Sequence, residues 1–347
     1  MSRKIKLFVS IIISLGTGAL AQSSYLTSIG YPNTGIQLPT AGGTVDVTNG
    51  NLHVEIPLGN PTQRGSVKLQ PRLIYDSRIW QPNSVNGNWV WAPNNVSSTQ
   101  DDATAPSGWR FVIGSEYNNW GSTITTTSQG FVRTNFYFTD AEGTTHSFNL
   151  ITVQPFPDYY ESTGPYNDSG SAYASDESGY VGIVSNYRVL TVYDPNGNIV
   201  TGSPLTQGCA PNCSFASIPF AGGDTNGNFN STDANGNLID TDGRIPVLVT
   251  NSGNTTTYSV LVPGGGRASY VVTYANVTYQ TGFNESQVQE ASGMFSAIQK
   301  ITLPDGSYYL FTYQDDDPSG MYGELTQITL PQGGEVNYTY KTTAVRL

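Results

Sequence analysis

Two stretches near the C-terminus, AIQKITLPDGSYYLFTY at 297–313 and ELTQITLPQGGEVNYTY at 324–340, follow one plan. Laid together, Ile301/Ile328, Thr302/Thr329, Leu303/Leu330, Pro304/Pro331, Gly306/Gly333, Thr312/Thr339 and Tyr313/Tyr340 coincide. In the first copy Ile301 and Leu303 alternate with Thr302, and Tyr309, Phe311 and Tyr313 alternate with Leu310 and Thr312, the period of a β-strand. Between these arms stands PDGS. Proline pre-sets φ for the first corner, Asp tolerates the second, and Gly306 can take the positive φ that closes a bulged hairpin. Gly333 occupies the same place in PQGG. A lone hairpin cannot bury its apolar face, so copies must stack or join larger sheets. Neighbouring hairpins of an ordinary β-sandwich satisfy the same pattern.

The rest of the chain has the same texture. NLHVEIPL sets Leu52, Val54, Ile56 and Leu58 against His53 and Glu55. SVKLQPRLIYDSR sets Val67, Leu69, Leu73 and Tyr75 against Lys68, Gln70 and Arg72. Further strand runs are NFYFTDAEGTTHSFNL, VSNYRVLTVYDPNGNIV, RIPVLVT, TTYSVLV and RASYVVTYANVTYQT. Residues 81–107, 153–179 and 202–235 are rich in Pro, Gly, Asn, Ser and Asp and read as looser. One short helix is expected in ESQVQEASGMFSA, weakened by Gly293. The fold class is all-β: repeated antiparallel hairpins preceded by a β-sandwich-like N-terminal region. The sequence divides into a signal peptide (1–21), an N-terminal β region (22–150), an irregular turn-rich β region (151–290) and hairpin repeats (291–347).

The signal peptide is read from the basic start MSRKIK, the apolar run LFVSIIISLGTGAL and the small residues Ala19 and Ala21 before Gln22. A retained N-terminal anchor is the alternative, although the run is short and rich in Gly and Ser for a membrane span. No other segment is apolar for long enough to cross a bilayer, so the expected location is secreted, extracellular or cell-surface.

Composition limits the partners. Charged residues are 12% of the 347, roughly half the usual share. With 22 Tyr and 13 Phe the chain is not of the disordered type. A net charge of −11, with no Lys/Arg cluster outside the signal peptide, argues against a nucleic-acid partner. Cys209 and Cys213 in GCAPNCS are expected to form a small disulfide loop in an exported chain. Two thiolates without nearby His make a poor zinc site.

Catalytic signatures are missing from the sequence. His53 and His146 fall at polar positions of strand runs, where a solvated or cross-strand histidine is expected. No serine lies in a G-x-S-x-G elbow, and neither H-E-x-x-H nor a phosphate-cradling loop occurs. Glu55, Asp76, Glu116 and Asp140 could supply the paired carboxylates of a glycosidase, but sequence does not pair them. No catalytic, cofactor or metal residue is therefore assigned, and the chain is read as non-enzymatic.

The segment DTNGNFNSTDANGNLIDTDG offers Asp224, Asn226, Asn228, Asp233, Asn235, Asn237, Asp240 and Asp242 as hard oxygen ligands for calcium. An EF-hand loop wants Gly sixth and Glu twelfth, where Phe229 and Asn235 stand. The competing reading is that the Asn-Gly pairs make type I′ turns. Asn254 and Asn276 lie in N-x-S/T sequons, which matter only in a host that glycosylates. Trp80, Trp89, Trp91, Trp109 and Trp120 crowd one span. They suit either sugar stacking or the plugging of an open end of the scaffold.

TVYDPNGNIV carries Tyr193-Asp194 followed by Gly197-Asn198-Ile199, which matches the Y-D-x-x-G-[RN]-[LI] core of YD (RHS) repeats. YGELTQITLPQGGEVNYTY resembles the variant G-x-L-T-x-I-x-x-P-x-G, with Glu324 where Arg is common. VDVTNGNLHVEIPL…LIYDSRIW and DTNGNFNSTDANGNLIDTDGRIPV look like segments of secreted bacterial RHS proteins. The resemblance spans about residues 41 to 340. Tyr313-Gln314-Asp315 departs from Tyr-Asp, regular copies are few, and the family's core-associated segment and toxin end are not seen. The chain looks like the N-terminal part of an RHS protein, truncated or naturally short. The resemblance implies a scaffold that starts a β-shell. Its expected partners are downstream repeats or a C-terminal cargo domain of the parent chain, or a cell-surface glycan or protein.

Overall fold

A computed structural model of the protein describes residues 36–66, 69–93, 108–113, 116–127, 130–140, 142–156, 167–204, 222–232, 237–313 and 320–340. The signal peptide and both cysteines lie outside them. The fold is all-β, with no helix among the described residues.

The first sheet has five strands in the order β1 (Gln37–Thr40), β2 (Gly43–Asp46), β3 (Leu52–Pro57), β4 (Pro71–Asp76) and β7 (Trp109–Ile113). A three-stranded sheet joins the hairpin β5 (Trp80–Val85) and β6 (Asn88–Pro93) to β22 (Val288–Gln289), which runs parallel to β6. Asn86 and Gly87, at φ 52° and 82°, turn that hairpin as a two-residue type I′ loop, so part of the stretch read as loose is regular.

A four-stranded sheet centres on β9 (Gly130–Asp140), flanked by β8 (Glu116–Thr126), β10 (Thr145–Phe148) and β11 (Thr152–Pro155). Next comes a seven-stranded meander: β12 (Gly170–Tyr173), β13 (Val181–Ser185), β14 (Val189–Tyr193), β15 (Ile199–Pro204), β16 (Gly222–Gly223), β17 (Phe229–Thr232) and β18 (Leu238–Ile239). The last sheet also has seven strands: β19 (Val247–Ser252), β20 (Thr255–Leu261), β21 (Arg267–Gln280), β23 (Ser292–Thr302), β24 (Tyr308–Tyr313), β25 (Leu325–Thr329) and β26 (Glu335–Asn337). Sequential antiparallel strands joined by short turns account for most of this order, as hairpin patterning demands.

Two apolar cores result. Leu52, Val54, Ile56, Leu73, Tyr75 and Trp109 of the first sheet pack with Val260, Val272, Phe295, Ile301, Phe311 and Ile328 of the last. The 22–150 and 291–347 stretches thus share one interior. Phe136, Phe138, Phe148 and Leu150 pack with Val184, Leu190, Val192 and Val200 to form the second core. There Gly182 faces the Phe148 ring, and a Cβ would come within 2.8 Å of it.

Two expectations are corrected here. The segment expected to hold a helix forms β22 and most of β23, because β21 offers it a long antiparallel partner from Val271↔Thr302 to Gln280↔Ser292. At Gly293 a Cβ would meet the Tyr279 hydroxyl at 2.8 Å, so this glycine admits a close neighbour. Every residue of β4 is buried, Arg72 included. Of the expected polar face, Arg72 is therefore interior while Gln70 is exposed as expected, and Lys68 lies outside the described residues.

Candidate functional site

Seven turns share a hydrogen-bond pattern in which the first residue's N–H donates to the fifth residue's carbonyl and the fourth residue, Gly, donates back to the first. They begin at Asp140, Asp194, Asp224, Asp240, Val262, Leu303 and Leu330. The fourth-position glycines Gly143, Gly197, Gly227, Gly243, Gly265, Gly306 and Gly333 all have φ between 72° and 87°. In the five loops that begin at Asp194, Asp224, Asp240, Leu303 and Leu330 this is the only positive φ. That is a bulged hairpin loop, not the type I′ turn expected for the Asn-Gly pairs of the acidic segment. At Val262 the neighbouring Gly264 is positive as well.

Where Asp leads, its carboxylate completes the turn. Asp194 Oδ1 accepts from the N–H of Asn196 (2.8 Å) and Asn198 (2.9 Å), and Oδ2 accepts from Asn198 Nδ2 at 2.8 Å. Asp224 repeats this with Asn226 and Asn228, and Asp240 with Asp242 and Arg244. D-x-x-G-[NR] is thus a self-contained turn: the first side chain caps two N–H groups and the fifth clamps the first. The three turns also hold the 62–66 loop. Ser66 N–H donates to Asp224 Oδ2 at 2.9 Å, Arg244 Nη2 donates to the Thr62 carbonyl at 2.9 Å, and Arg64 reaches Asp242. The Ser66 N–H and the Asn228 amide hold the Asp224 carboxyl down to about 2. The oxygens read as calcium ligands at Asp224 and Asp240 are thereby engaged by the chain itself, while Asp233 and Asn235 lie outside the described residues.

Both histidines are interior, His53 4% and His146 1% exposed, so of the two expected outcomes, solvated or cross-strand, the solvated one is corrected and the cross-strand one describes His53. His53 faces Asp76 across β3 and β4. Asp76 Oδ1 accepts from Asn51 Nδ2 at 2.7 Å and meets His53 Nδ1 at 2.9 Å, while Oδ2 is held by Arg110. Burial alone would raise the Asp76 carboxyl, but the Arg110 charge, together with His53, outweighs it and brings it to about 2.

His146 joins two sheets. Its Nε2 lies 3.0 Å from Asp140 Oδ2 on β9, and its Nδ1 lies 2.7 Å from Asp176 Oδ2 in the turn between β12 and β13. Ser178 Oγ is 3.1 Å from Nδ1 and donates to Asp176 Oδ1 at 2.6 Å. Ser178, His146 and Asp140 so have the spacing of a nucleophile, base and orienting carboxylate. Burial opposes charging the ring, but the hydrogen bonds and charges of Asp140 and Asp176 outweigh it and raise the imidazolium's pKa. A doubly protonated ring has no lone pair to take the serine proton. Asp176 and Ser178 carry no sequence motif; the fold alone brings them to His146.

Of the other carboxylates, Glu55 and Glu142 both pair with Arg72, at 3.1 and 3.0 Å. Asp76 and Asp140 belong to separate nodes, and Glu116 sits opposite Asp140 in register at the start of β8. The tryptophans divide. Trp109 is core, and its Nε1 donates to the Tyr313 hydroxyl at 2.8 Å. Trp80 donates to the Tyr322 carbonyl, and Trp91 packs 4.2 Å from the Phe283 ring. Trp89 is 51% exposed. Trp120 lies on β8, with its side chain outside the described residues.

Two surface features remain. A cleft of about 370 Å³ is lined by Asn60, Pro61, Thr62, Gln63, Leu69 and Gln70, of which Asn60, Thr62, Gln63 and Gln70 offer hydrogen-bonding side chains. On the outer face of the meander, register places Tyr173, Val181, Tyr193, Ile199, Gly223 and Phe229 in one row across six strands. Its end rings are open to solvent: Tyr173 is 75% and Phe229 56% exposed. Compared with known protein families and with curated proteins, the chain matches none.

Proposed function

We propose that this is a secreted, non-enzymatic scaffold of the YD/RHS-repeat type, contributing hairpins to a β-shell that in such proteins encloses a toxin or mediates surface contact. The observation that carries this reading is the recurrent turn. A five-residue unit, D-x-x-G-[NR] or its L-P-x-G relative, closes the β14–β15, β16–β17, β23–β24 and β25–β26 hairpins. Such units add strands without needing a cofactor or a catalytic group. The Asp140–His146–Asp176 and Asp76–Arg110 nodes are then joints of the scaffold.

A growing meander leaves an edge. β26 pairs with β25 alone among the described strands, and an edge strand's unpaired N–H and C=O groups recruit another strand. Sedimentation velocity of the secreted chain beside one carrying further C-terminal repeats tests this. Self-association that the added repeats suppress supports the scaffold. A clean monomer in both, or turnover of glycan, peptide or ester substrates by either, refutes it.

The second reading is an extracellular carbohydrate-binding module. The Tyr173–Tyr193–Phe229 row, with Tyr173 and Phe229 exposed and Tyr193 half-buried, favours it, since aromatic faces stack on sugars and Tyr173 and Tyr193 stand two strand spacings apart, about 10 Å. The free Trp89 ring is the other possible platform. Binding to an oligosaccharide panel, compared among the wild type, Tyr173→Ala and Trp89→Ala, decides between faces, and no binding at all removes this reading.

A further inference from the structure

We propose that the Asp140–His146–Asp176 bridge is a pH-gated fastener between the four-stranded sheet and the seven-stranded meander, whose Asp176 arm releases when the imidazole loses its proton. The geometry carries the argument. His146 stands on β10, Asp140 ends β9 beside it, and Asp176 and Ser178 belong to the turn that joins β12 to β13. Tyr180 covers the ring at 4.4 Å between centroids, and Phe138 stacks on it at 6.0 Å.

Every charged group facing this node is an acid or is tied to one. Glu142 lies by Asp140 and is paired to Arg72, and its carboxyl is raised by burial and by the Asp140 charge. The Tyr180 hydroxyl is raised by burial, with Asp140, Glu142, Asp194 and Asp176 all adding to it. One imidazolium therefore serves two carboxylates directly, and the field around it favours keeping it charged.

The two arms are unequal on deprotonation. A neutral ring keeps one N–H. At Nε2 the Asp140 carboxylate accepts that hydrogen. At Nδ1 a second donor is already in place: Ser178 Oγ, 3.1 Å away. In the neutral ring Nδ1 becomes an acceptor, Ser178 turns its hydroxyl from Asp176 to Nδ1, and the proton leaves to solvent. Asp176 then faces a lone pair and has lost its hydroxyl donor, keeping the Ser178 N–H at 3.2 Å. What still ties the turn to β10 is the Ser175 N–H on the Ser147 carbonyl and the Phe148–Ala174 bridge.

The sign follows. The His146 contribution is complete below the ordinary histidine value of 6.5 and is lost as pH rises through the raised folded value. Although burial works against its charge, Asp176 is held below 3.8 by Ser178 and His146, so its contribution holds above 3.8 and fails as pH falls through the lower folded value. The fastener is closed between those limits and opens on the alkaline side.

Two histidines make the test direct. The imidazole C2–H signals of the secreted chain are followed by NMR from acid to alkaline pH, with His146→Gln identifying the signal that disappears. In parallel, amide exchange of residues 174–180 is measured and corrected for base catalysis. The expected results are a His146 midpoint above 6.5 and a loss of exchange protection in that turn as pH rises through it. Asp176→Asn should lower the midpoint and flatten the exchange profile. A midpoint at or below 6.5, corrected exchange without a break, or an Asp176→Asn midpoint equal to wild type overturns the proposal. Should His146→Gln fail to fold, the wild-type and Asp176→Asn titrations still decide.

Discussion

Asp76 shows how far a single side chain can depend on its neighbours. It is 2% exposed, and Arg110 beside it is 4% exposed, so each charge exists only because the other neutralises its field. Asp76→Ala should cost roughly 3–5 kcal/mol in urea unfolding, because it leaves a buried guanidinium without its counter-ion. The wild type carries a pH signature of the same pair. The folded Asp76 value of about 2 lies below 3.8, so its contribution, on the order of 2 kcal/mol, is present above 3.8 and is lost as pH falls through about 2. Urea midpoints measured down through that window should fall in the wild type, and a flat profile would rule the pair out. None of this was legible in NLHVEIPL. Alternation placed His53 opposite the apolar face correctly, but a sheet with polar groups buried on its second face looks the same as one facing water. Of the deciding partners, Asn51 stands in that stretch, but Asp76 and Arg110 arrive from two other segments.

The turns were far more legible than the nodes, because their physics is local. PDGS predicts a bulged hairpin with Gly306 at positive φ, and Gly306 has φ 87° with the Leu303–Ser307 pairing to match. Around Gly306 and Gly333 a Cβ would meet nothing within 4 Å, so backbone strain is the only penalty a side chain brings. Gly306→Val and Gly333→Val should each destabilise by about 1–3 kcal/mol, with thermal melts as the check. Melts that overlay the parent would remove the turn assignment. The type I′ reading of the acidic segment failed at Asn226-Gly227 for a local reason too. A leading Asp caps the N–H groups two and four residues on, which favours the longer bulged loop. At Asn86-Gly87, in a stretch read as loose, no such Asp precedes and the type I′ turn forms. The helix expected over 285–297 failed for a non-local reason: nothing in ESQVQEASGMFSA announces a fourteen-residue strand, β21, waiting to pair with it.

The first and last sheets meet through polar bolts set within an apolar interior, and these tie residues that are far apart in the chain. Between β24 and β25 the register slips at Thr312/Tyr313, which frees the Leu325 N–H from the ladder. The Tyr75 hydroxyl accepts it at 2.9 Å from the opposite sheet. Tyr75 is fully buried, and burial raises its hydroxyl well above the ordinary value, so it serves as a neutral group. Close by, Tyr313 accepts from Trp109 Nε1 and donates to the Ile298 carbonyl at 2.6 Å. Tyr75→Phe keeps the packing volume but leaves the Leu325 N–H buried without its acceptor, at a cost of about 1–3 kcal/mol. Because one core serves both sheets, that loss should not stay local. Hydrogen exchange should weaken together in 52–76 and 295–329, segments that no sequence pattern links. If protection falls in β25 alone while β3 and β4 keep theirs, the two ends of the chain fold as separate bodies and the shared-core account fails.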